Sequence, residues 1–183
     1  SRKVAYLLII ATFPIVMAGL LGTDFIKSNR NSIASIAYMN LLFAGFLLFA
    51  YIYSASSKSL IELTIAGAIF IGIFQVFALF PGASRSGTAM TAALLIGLNL
   101  KDSSKFAFLL AIPTIFGALV FLIGDLVLYE TQLNIISLVI GFLTSSIVAF
   151  LTIKYFLIFV EKIGMYPFVI YRVLLGVLLL VLI

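Results

Sequence analysis

The sequence contains no cysteine and no histidine, and only 9% of its 183 residues are charged. Without cysteine, the chain can form neither disulfides nor thiolate metal sites. Without histidine, it lacks the commonest general base and metal ligand of enzymes. Soluble domains carry about 25% charged residues, so this chain is not typical of them. Its net charge of +5 is spread along the sequence, which indicates loops near anionic lipid rather than a nucleic-acid-binding surface.

Apolar residues make up 64% of the chain and fall into long runs. A helix needs about 20 mostly apolar residues to cross a bilayer. The candidate spans are residues 4–22, 36–53, 62–79, 106–128, 135–159 and 168–183. Residues 86–98 form a shorter run, about 20 Å long as a helix. Breakers are predicted at 27–32, 54–59, 99–104, 130–134 and 161–167. The pattern predicts an all-α, polytopic integral membrane protein.

The beginning of the chain does not match a signal peptide. The apolar run that follows Ser1-Arg2-Lys3 continues past Pro14 to about Gly22. That run is longer than a signal-peptide core, and it is long enough to span. We therefore expect this chain to begin inside a larger membrane protein.

The distribution of basic residues predicts the orientation. If 62–79 and 86–98 form a hairpin whose two ends share one side, most loop cations lie on that side. They are Arg2, Lys3, Lys58, Lys101, Lys105, Lys154 and Lys162. Lys27 and Arg30 fall on the other side. Because cytoplasmic loops carry an excess of Lys and Arg, the larger group is predicted to face the cytoplasm.

A polar stretch, Phe80-Pro81-Gly82-Ala83-Ser84-Arg85-Ser86-Gly87-Thr88, joins two of the apolar runs. Pro81 and Gly82 are expected to end one helix, and Ser84 to begin the next. A helix N-terminus offers unpaired N–H groups and a positive dipole. With two serines and the Arg85 guanidinium, these groups suit an oxyanion such as phosphate or diphosphate. Irregular backbone at membrane depth must be buried or line a cavity. A re-entrant hairpin is therefore predicted, with its tip near mid-depth and a cavity open to the outside.

Each candidate residue also has a simpler reading. Arg85 is interpreted as a phosphate ligand, although a polar loop with Arg85 snorkelling to headgroups is the alternative. Ser84 and Ser86 are candidate phosphate ligands or helix caps. Gly82 and Gly87 permit the turn and close backbone approach, or serve helix packing. Two further polar residues are interpreted as mainly structural: Gln75, which hydrogen-bonds between helices, and Arg172, which pairs or snorkels, with a place in the site as its alternative. The spacing from Gly82 to Thr88 also mimics a nucleotide P-loop, but no Lys and no preceding strand are present.

The polar stretch resembles the signature of the undecaprenyl-diphosphate phosphatase (bacitracin-resistance) family, Pro-Gly-x-Ser-Arg-Ser-x-x-Thr. Pro81, Gly82, Ser84, Arg85 and Ser86 stand in register, while the ninth position is Ala89 and the nearest threonine is Thr88. Further segments are similar to that family: residues 12–14, 18–21, 72–80, 106–113 and 167–172.

The resemblance implies an inverted-repeat architecture, in which 1–55 is the remainder of a first repeat and 56–183 is a second repeat with the motif hairpin at 62–98. The first repeat would lack a hairpin and a span, about 70–90 residues by span length. That hairpin carries the family's paired glutamates and histidine. None of these maps onto this sequence, so no metal ligand is assigned here.

The resemblance further implies hydrolysis of undecaprenyl diphosphate in a bacterial inner membrane, to recycle the lipid carrier for cell-wall synthesis. Ser84, Arg85 and Ser86 would be catalytic, and Gly82, Gly87 and Thr88 would complete the substrate site. A divalent cation, Mg²⁺ or Ca²⁺, would be held mostly by the absent segment. The partners would be a polyprenyl diphosphate and membrane lipid, not nucleic acid, with a homodimer possible.

Two alternatives to a phosphatase remain at this stage. Broken helices that point at an anion are also typical of transporters, so a lipid-phosphate flippase or anion transporter is one. A catalytically incomplete fragment is the other, and the chain alone is expected to be inactive. A Glu-x-x-x-Glu sequence with a nearby histidine upstream would favour the enzyme.

Overall fold

The computed structural model describes residues 2–22, 32–54, 57–128 and 134–182. Within them the chain forms seven α-helices and two short 3-10 turns, at Leu60–Glu62 and Val76–Leu79. The helices are α1 (Arg2–Leu21), α2 (Ile33–Tyr53), α3 (Ile65–Gln75), α4 (Arg85–Leu95), α5 (Leu100–Leu128), α6 (Ile135–Ile163) and α7 (Tyr166–Val181).

Four of these helices, α1, α2, α5 and α6, are long and apolar enough to cross a membrane. The protein is therefore an all-α, multi-pass membrane protein. Two apolar segments are shorter: α3 with its 3-10 extension, and α7. The sequence predicted a span at 168–183, a run of 16 residues, and α7 likewise has 16 residues, or about 24 Å. That is less than the ~30 Å of the hydrocarbon core.

α3 and α4 form the predicted antiparallel hairpin. Its two ends are joined, because the N–H of Lys58 donates to the carbonyl of Gly97 at 3.0 Å and the N–H of Asn99 donates to the carbonyl of Lys58 at 2.9 Å. We call this end the hairpin base. It is reinforced by Glu62, whose carboxylate accepts from the N–H of Ser59 at 2.7 Å and from its hydroxyl at 2.8 Å. The Ser59 N–H and then its hydroxyl hold the pKa of Glu62 below its usual value.

Basic side chains gather at the hairpin base. Lys3 Nζ donates to the carbonyl of Ile61 at 2.5 Å, and Lys58 Nζ to that of Ile96 at 3.1 Å. Lys101 pairs with Glu161 at 2.8 Å. The grouping of Lys3, Lys58 and Lys101 on one side is thus confirmed. Their cytoplasmic location stays a prediction, and Lys27 and Arg30 lie outside the described residues.

The prediction of a break at 99–104 was wrong, because α5 starts at Leu100. Asn99 Oδ1 accepts from the N–H of Asp102 at 2.8 Å and caps the helix. Asp102 lies in the first turn, where a carboxylate is favoured by the helix dipole. Its Oδ2 also accepts from the N–H of Leu60 at 2.9 Å. A short polar run therefore begins this helix instead of interrupting the chain.

Helix α4, the second arm of the hairpin, lies at the centre of the fold. It packs on α2, α3 and α5, and every residue from Gly87 to Leu94 is buried. Small side chains such as Ala89, Ala92 and Ala93 let the neighbouring helices approach. α1 packs on α3, and α2 on α7. The large apolar side chains left exposed on α1, α5 and α6 provide the lipid-facing surface.

Candidate functional site

The hairpin tip is a tight, non-helical link between the 3-10 turn and α4. Proline disfavours helical backbone in the residue before it. Phe80, which precedes Pro81, is accordingly extended, with φ −77° and ψ 128°. The N–H of Ala83 donates to the carbonyl of Phe80 at 3.2 Å. This bond closes the turn and directs the chain into α4 at Arg85.

Gly82 is the closest point of contact between the tip and α2. Its φ is +95°, a left-handed conformation that glycine adopts without steric cost. A β-carbon at this position would also overlap the backbone of Ile36. Ile36 lies three residues after Ile33, where α2 begins. The tip is therefore beside the first turns of α2 and far from the hairpin base.

Ser84 caps α4 in an unusual conformation. Its hydroxyl accepts from the N–H of Gly87 at 3.2 Å, which is the ordinary action of an N-cap serine. Its φ, however, is +69°. Residues other than glycine at positive φ cost on the order of 1–3 kcal/mol, and they cluster at functional sites. Because of this strain, Ser84 is a candidate ligand-binding residue as well as a helix cap.

The first turn of α4 presents unsatisfied donors. Ser84 satisfies the N–H groups of Gly87 and Thr88. Within the described residues, the N–H groups of Arg85 and Ser86 have no acceptor. Because N–H groups at a helix start carry the positive end of the helix dipole, this turn can bind an anion.

The side chains of Arg85 and Ser86 add a guanidinium and a hydroxyl to that turn. Both residues are half-buried. The Arg85 guanidinium makes no hydrogen bond or ion pair inside the described part of the chain. The described carboxylates, Glu62, Asp102 and Glu161, are engaged at the hairpin base. Within the described residues, Arg85 is thus a cation without a counter-ion, at a helix start that favours anions.

Gly87 and Thr88 follow in the same turn, and both are buried. Thr88 Oγ1 donates to the carbonyl of Arg85 at 2.8 Å, so its proton is used by the helix itself. Ala89, at the position where the motif has threonine, packs in the apolar core. The role of Thr88 as a substrate ligand stays a prediction.

The structure brings Arg172 to the tip, where it pairs with other residues as the sequence predicted and lies beside the candidate site. Its Nη2 donates to the carbonyls of Gly82 at 2.9 Å and Ala83 at 3.1 Å. Its Nε donates to Asn40 Oδ1 at 2.8 Å, and Asn40 Nδ2 donates to the carbonyl of Arg172 at 2.6 Å. The available signal was a strongly polar side chain inside each of two apolar helices, Asn40 in α2 and Arg172 in α7. Such residues usually face the protein interior and find partners.

Gln75 forms the predicted interhelical hydrogen bond. Its Nε2 donates to Thr114 Oγ1 of α5 at 3.2 Å. The bond ties α3 to α5 where α3 changes into the 3-10 turn.

The divalent cation stays a prediction, because its ligands are expected mostly in the absent segment and not among the described residues. They contain no group of three or more His, Cys, Asp or Glu side chains that could hold a metal ion. The tip instead presents guanidinium, hydroxyl and N–H groups, which are donors to an anion. No catalytic step at this tip is therefore assigned to a metal held by these residues.

We expect substitutions at Ser84 to separate backbone strain from ligand binding. Ser84→Gly relieves the positive φ and costs only a few tenths of a kcal/mol in capping, so this variant should be at least as stable as the parent. Ser84→Ala keeps the strain and loses the cap, and it should be less stable by about 1 kcal/mol. Both should bind a diphosphate about tenfold or more weakly if the hydroxyl contacts a charged phosphate. Thermal midpoints and diphosphate affinities of the three proteins test this, and unchanged affinity in Ser84→Gly would mean that Ser84 is only a cap.

Comparison with known proteins identifies the family of this chain. The family model for bacitracin resistance protein BacA matches residues 1–178. The chain belongs to the BacA family. Among its relatives, the undecaprenyl-diphosphatase of Alcanivorax borkumensis is 42% identical over 178 residues, which are 97% of this chain and 67% of that protein.

Two further relatives of this BacA chain carry the same name. The undecaprenyl-diphosphatases of Saccharophagus degradans and Colwellia psychrerythraea are each 41% identical to it, across 96% and 97% of this chain and 66% of each relative. The chain thus spans about two thirds of the length of these relatives, and the sequence-based family assignment is confirmed.

Proposed function

We propose that the protein hydrolyses undecaprenyl diphosphate to undecaprenyl phosphate, and that the tip of the α3–α4 hairpin binds the diphosphate. The observation that carries the proposal is Arg85, a half-buried guanidinium without a described partner at the start of a buried helix. Relatives named undecaprenyl-diphosphatase, about 40% identical over nearly the whole chain, support the choice of substrate.

The chemistry of phosphoryl transfer explains why these groups suit the task. Negative charge is spread over the equatorial phosphoryl oxygens in the transition state, so catalysis depends on positioning and electrostatic stabilisation. A guanidinium holds two of those oxygens at once. The free N–H groups of Arg85 and Ser86 and the serine hydroxyls add donors that are fixed before the substrate arrives.

The remaining groups of the reaction lie outside the described residues in this proposal. A carboxylate or histidine would move protons, and Mg²⁺ or Ca²⁺ would neutralise part of the diphosphate charge when bound. The protein would act in the bacterial inner membrane with the hairpin base on the cytoplasmic side, since basic side chains gather there. The homodimer stays a prediction.

Purified full-length protein in detergent, supplied with a polyprenyl diphosphate, tests this function. We expect stoichiometric release of inorganic phosphate and formation of the polyprenyl monophosphate. A flippase would instead move the lipid between leaflets of a vesicle and leave its diphosphate intact. Translocation without phosphate release would contradict the proposal.

A further inference from the structure

Among the described residues, Arg172 is the charged side chain that is almost completely buried, and it is only partly satisfied. It is 3% exposed. Its Nε and Nη2 share four acceptors: Asn40 Oδ1, and the carbonyls of Asn40, Gly82 and Ala83. Its Nη1 has no hydrogen-bond partner among the described residues. These bonds hold the hairpin tip against α2 and α7, and we call them the clamp. The clamp explains the positions of Nε and Nη2 but gives no role to Nη1.

The free Nη1 lies at the first turn of α4. A β-carbon placed on Gly87 would be 2.8 Å from Nη1 and 3.1 Å from the hydroxyl oxygen of Ser84. Two polar groups from different parts of the chain therefore each lie within 3.1 Å of the position that a Gly87 β-carbon would take. Any larger residue at position 87 would fill the space between them.

The charge at this place is also uncompensated. Arg172 and Arg85 both approach the hairpin tip, and no described carboxylate pairs with either. A buried charged donor without a partner is costly, and it usually marks a binding function. The acceptor that best fits two guanidinium groups and a helix start is a multiply charged oxyanion.

We propose that Nη1 of Arg172 donates a hydrogen bond to a phosphoryl oxygen of the lipid diphosphate bound against the first turn of α4. Arg172 is then a substrate-binding residue as well as the clamp of the tip. This inference rests on the proposed function and deepens it, because it assigns a second cation to the same site.

Binding of farnesyl methylenediphosphonate, which has no hydrolysable bridge, tests the inference without relying on turnover. We expect Arg172→Lys to raise the dissociation constant about 10- to 100-fold, the usual effect of losing a hydrogen bond to a charged group. Because that variant also weakens the clamp, Gly87→Ala is measured beside it. This variant keeps Arg172 and its acceptors but places a methyl group against Nη1, and it should also bind at least tenfold more weakly. Gly141→Ala on α6, where a β-carbon meets nothing within 4 Å, is the matched control and should bind like the parent.

The outcomes separate this inference from the proposed function. If the parent protein does not bind the diphosphonate, the proposed function fails. If the parent binds but Gly87→Ala binds equally well, Arg172 is only a clamp and the inference is overturned, whether or not Arg172→Lys folds. Equal competition by phosphatidylglycerol would also overturn it, because the site would then recognise a lipid phosphodiester.

Discussion

Arg85→Lys is expected to lower the turnover of a polyprenyl diphosphate by about 10²–10³-fold in the full-length protein. Lysine keeps the positive charge, so the cost of placing it in the membrane changes little. It loses the planar pair of donors that can hold two phosphoryl oxygens. Removing one well-placed donor to a transition-state oxyanion typically costs about 2.7–4 kcal/mol. The measurement is phosphate release at saturating substrate and matched protein amount.

The matched control for this prediction is Arg2→Lys, because Arg2 is exposed at the start of α1. It should retain activity within about threefold, which is less than 1 kcal/mol. The thermal midpoint of Arg85→Lys should stay close to that of the parent, since no described residue bonds to its guanidinium. An Arg85→Lys protein with near-normal turnover would mean that Arg85 snorkels to headgroups and binds no phosphate.

Gly82→Ala is expected to disrupt the tip and to cause the largest loss of stability among single substitutions there. Alanine at this positive φ is strained by roughly 1–3 kcal/mol. Its β-carbon would also overlap the backbone of Ile36, and overpacking of this kind costs about 1–3 kcal/mol more. Together these two costs are a large part of a typical free energy of unfolding, which is about 5–15 kcal/mol. The measurement is the fraction of monodisperse protein that survives heating.

Gly45→Ala is the control for that experiment. Gly45 lies within α2, and a β-carbon there meets nothing within 4 Å. Alanine favours the helix over glycine, so this variant should be as stable as the parent or slightly more so. If Gly82→Ala were equally stable, the tip would not lie against α2 as described.

The hairpin and its polar tip were predictable from the sequence because strong local signals define them. A Pro-Gly pair ends one apolar run, and the next run is too short to span a bilayer. The start of α5 was missed because a polar run at 99–104 looks the same in a loop and in a capped first turn. The structure has the capped turn, in which Asp102 also accepts from the N–H of Leu60, 42 residues away.

Two features of the site depend on tertiary contacts and left little trace in the sequence. Asn40 and Arg172 lie 132 residues apart and meet only because α2 packs on α7. An isolated arginine near the start of an apolar helix is equally compatible with snorkelling. Ser84 has its positive φ in a tip that contacts α2 and Arg172, and no local preference of serine predicts it.

The central claim is that the first turn of α4 binds the diphosphate of a lipid, and protection of a cysteine at Ser86 tests it most directly. The sequence contains no cysteine, so Ser86→Cys introduces one reactive group into this chain at the tip. We expect saturating farnesyl methylenediphosphonate to slow its reaction with a small methanethiosulfonate at least tenfold, and farnesol to leave it unchanged. Lys58→Cys at the hairpin base should react at the same rate with or without the ligand. Equal reactivity of the Ser86→Cys thiol in the presence and absence of the diphosphonate would contradict the claim.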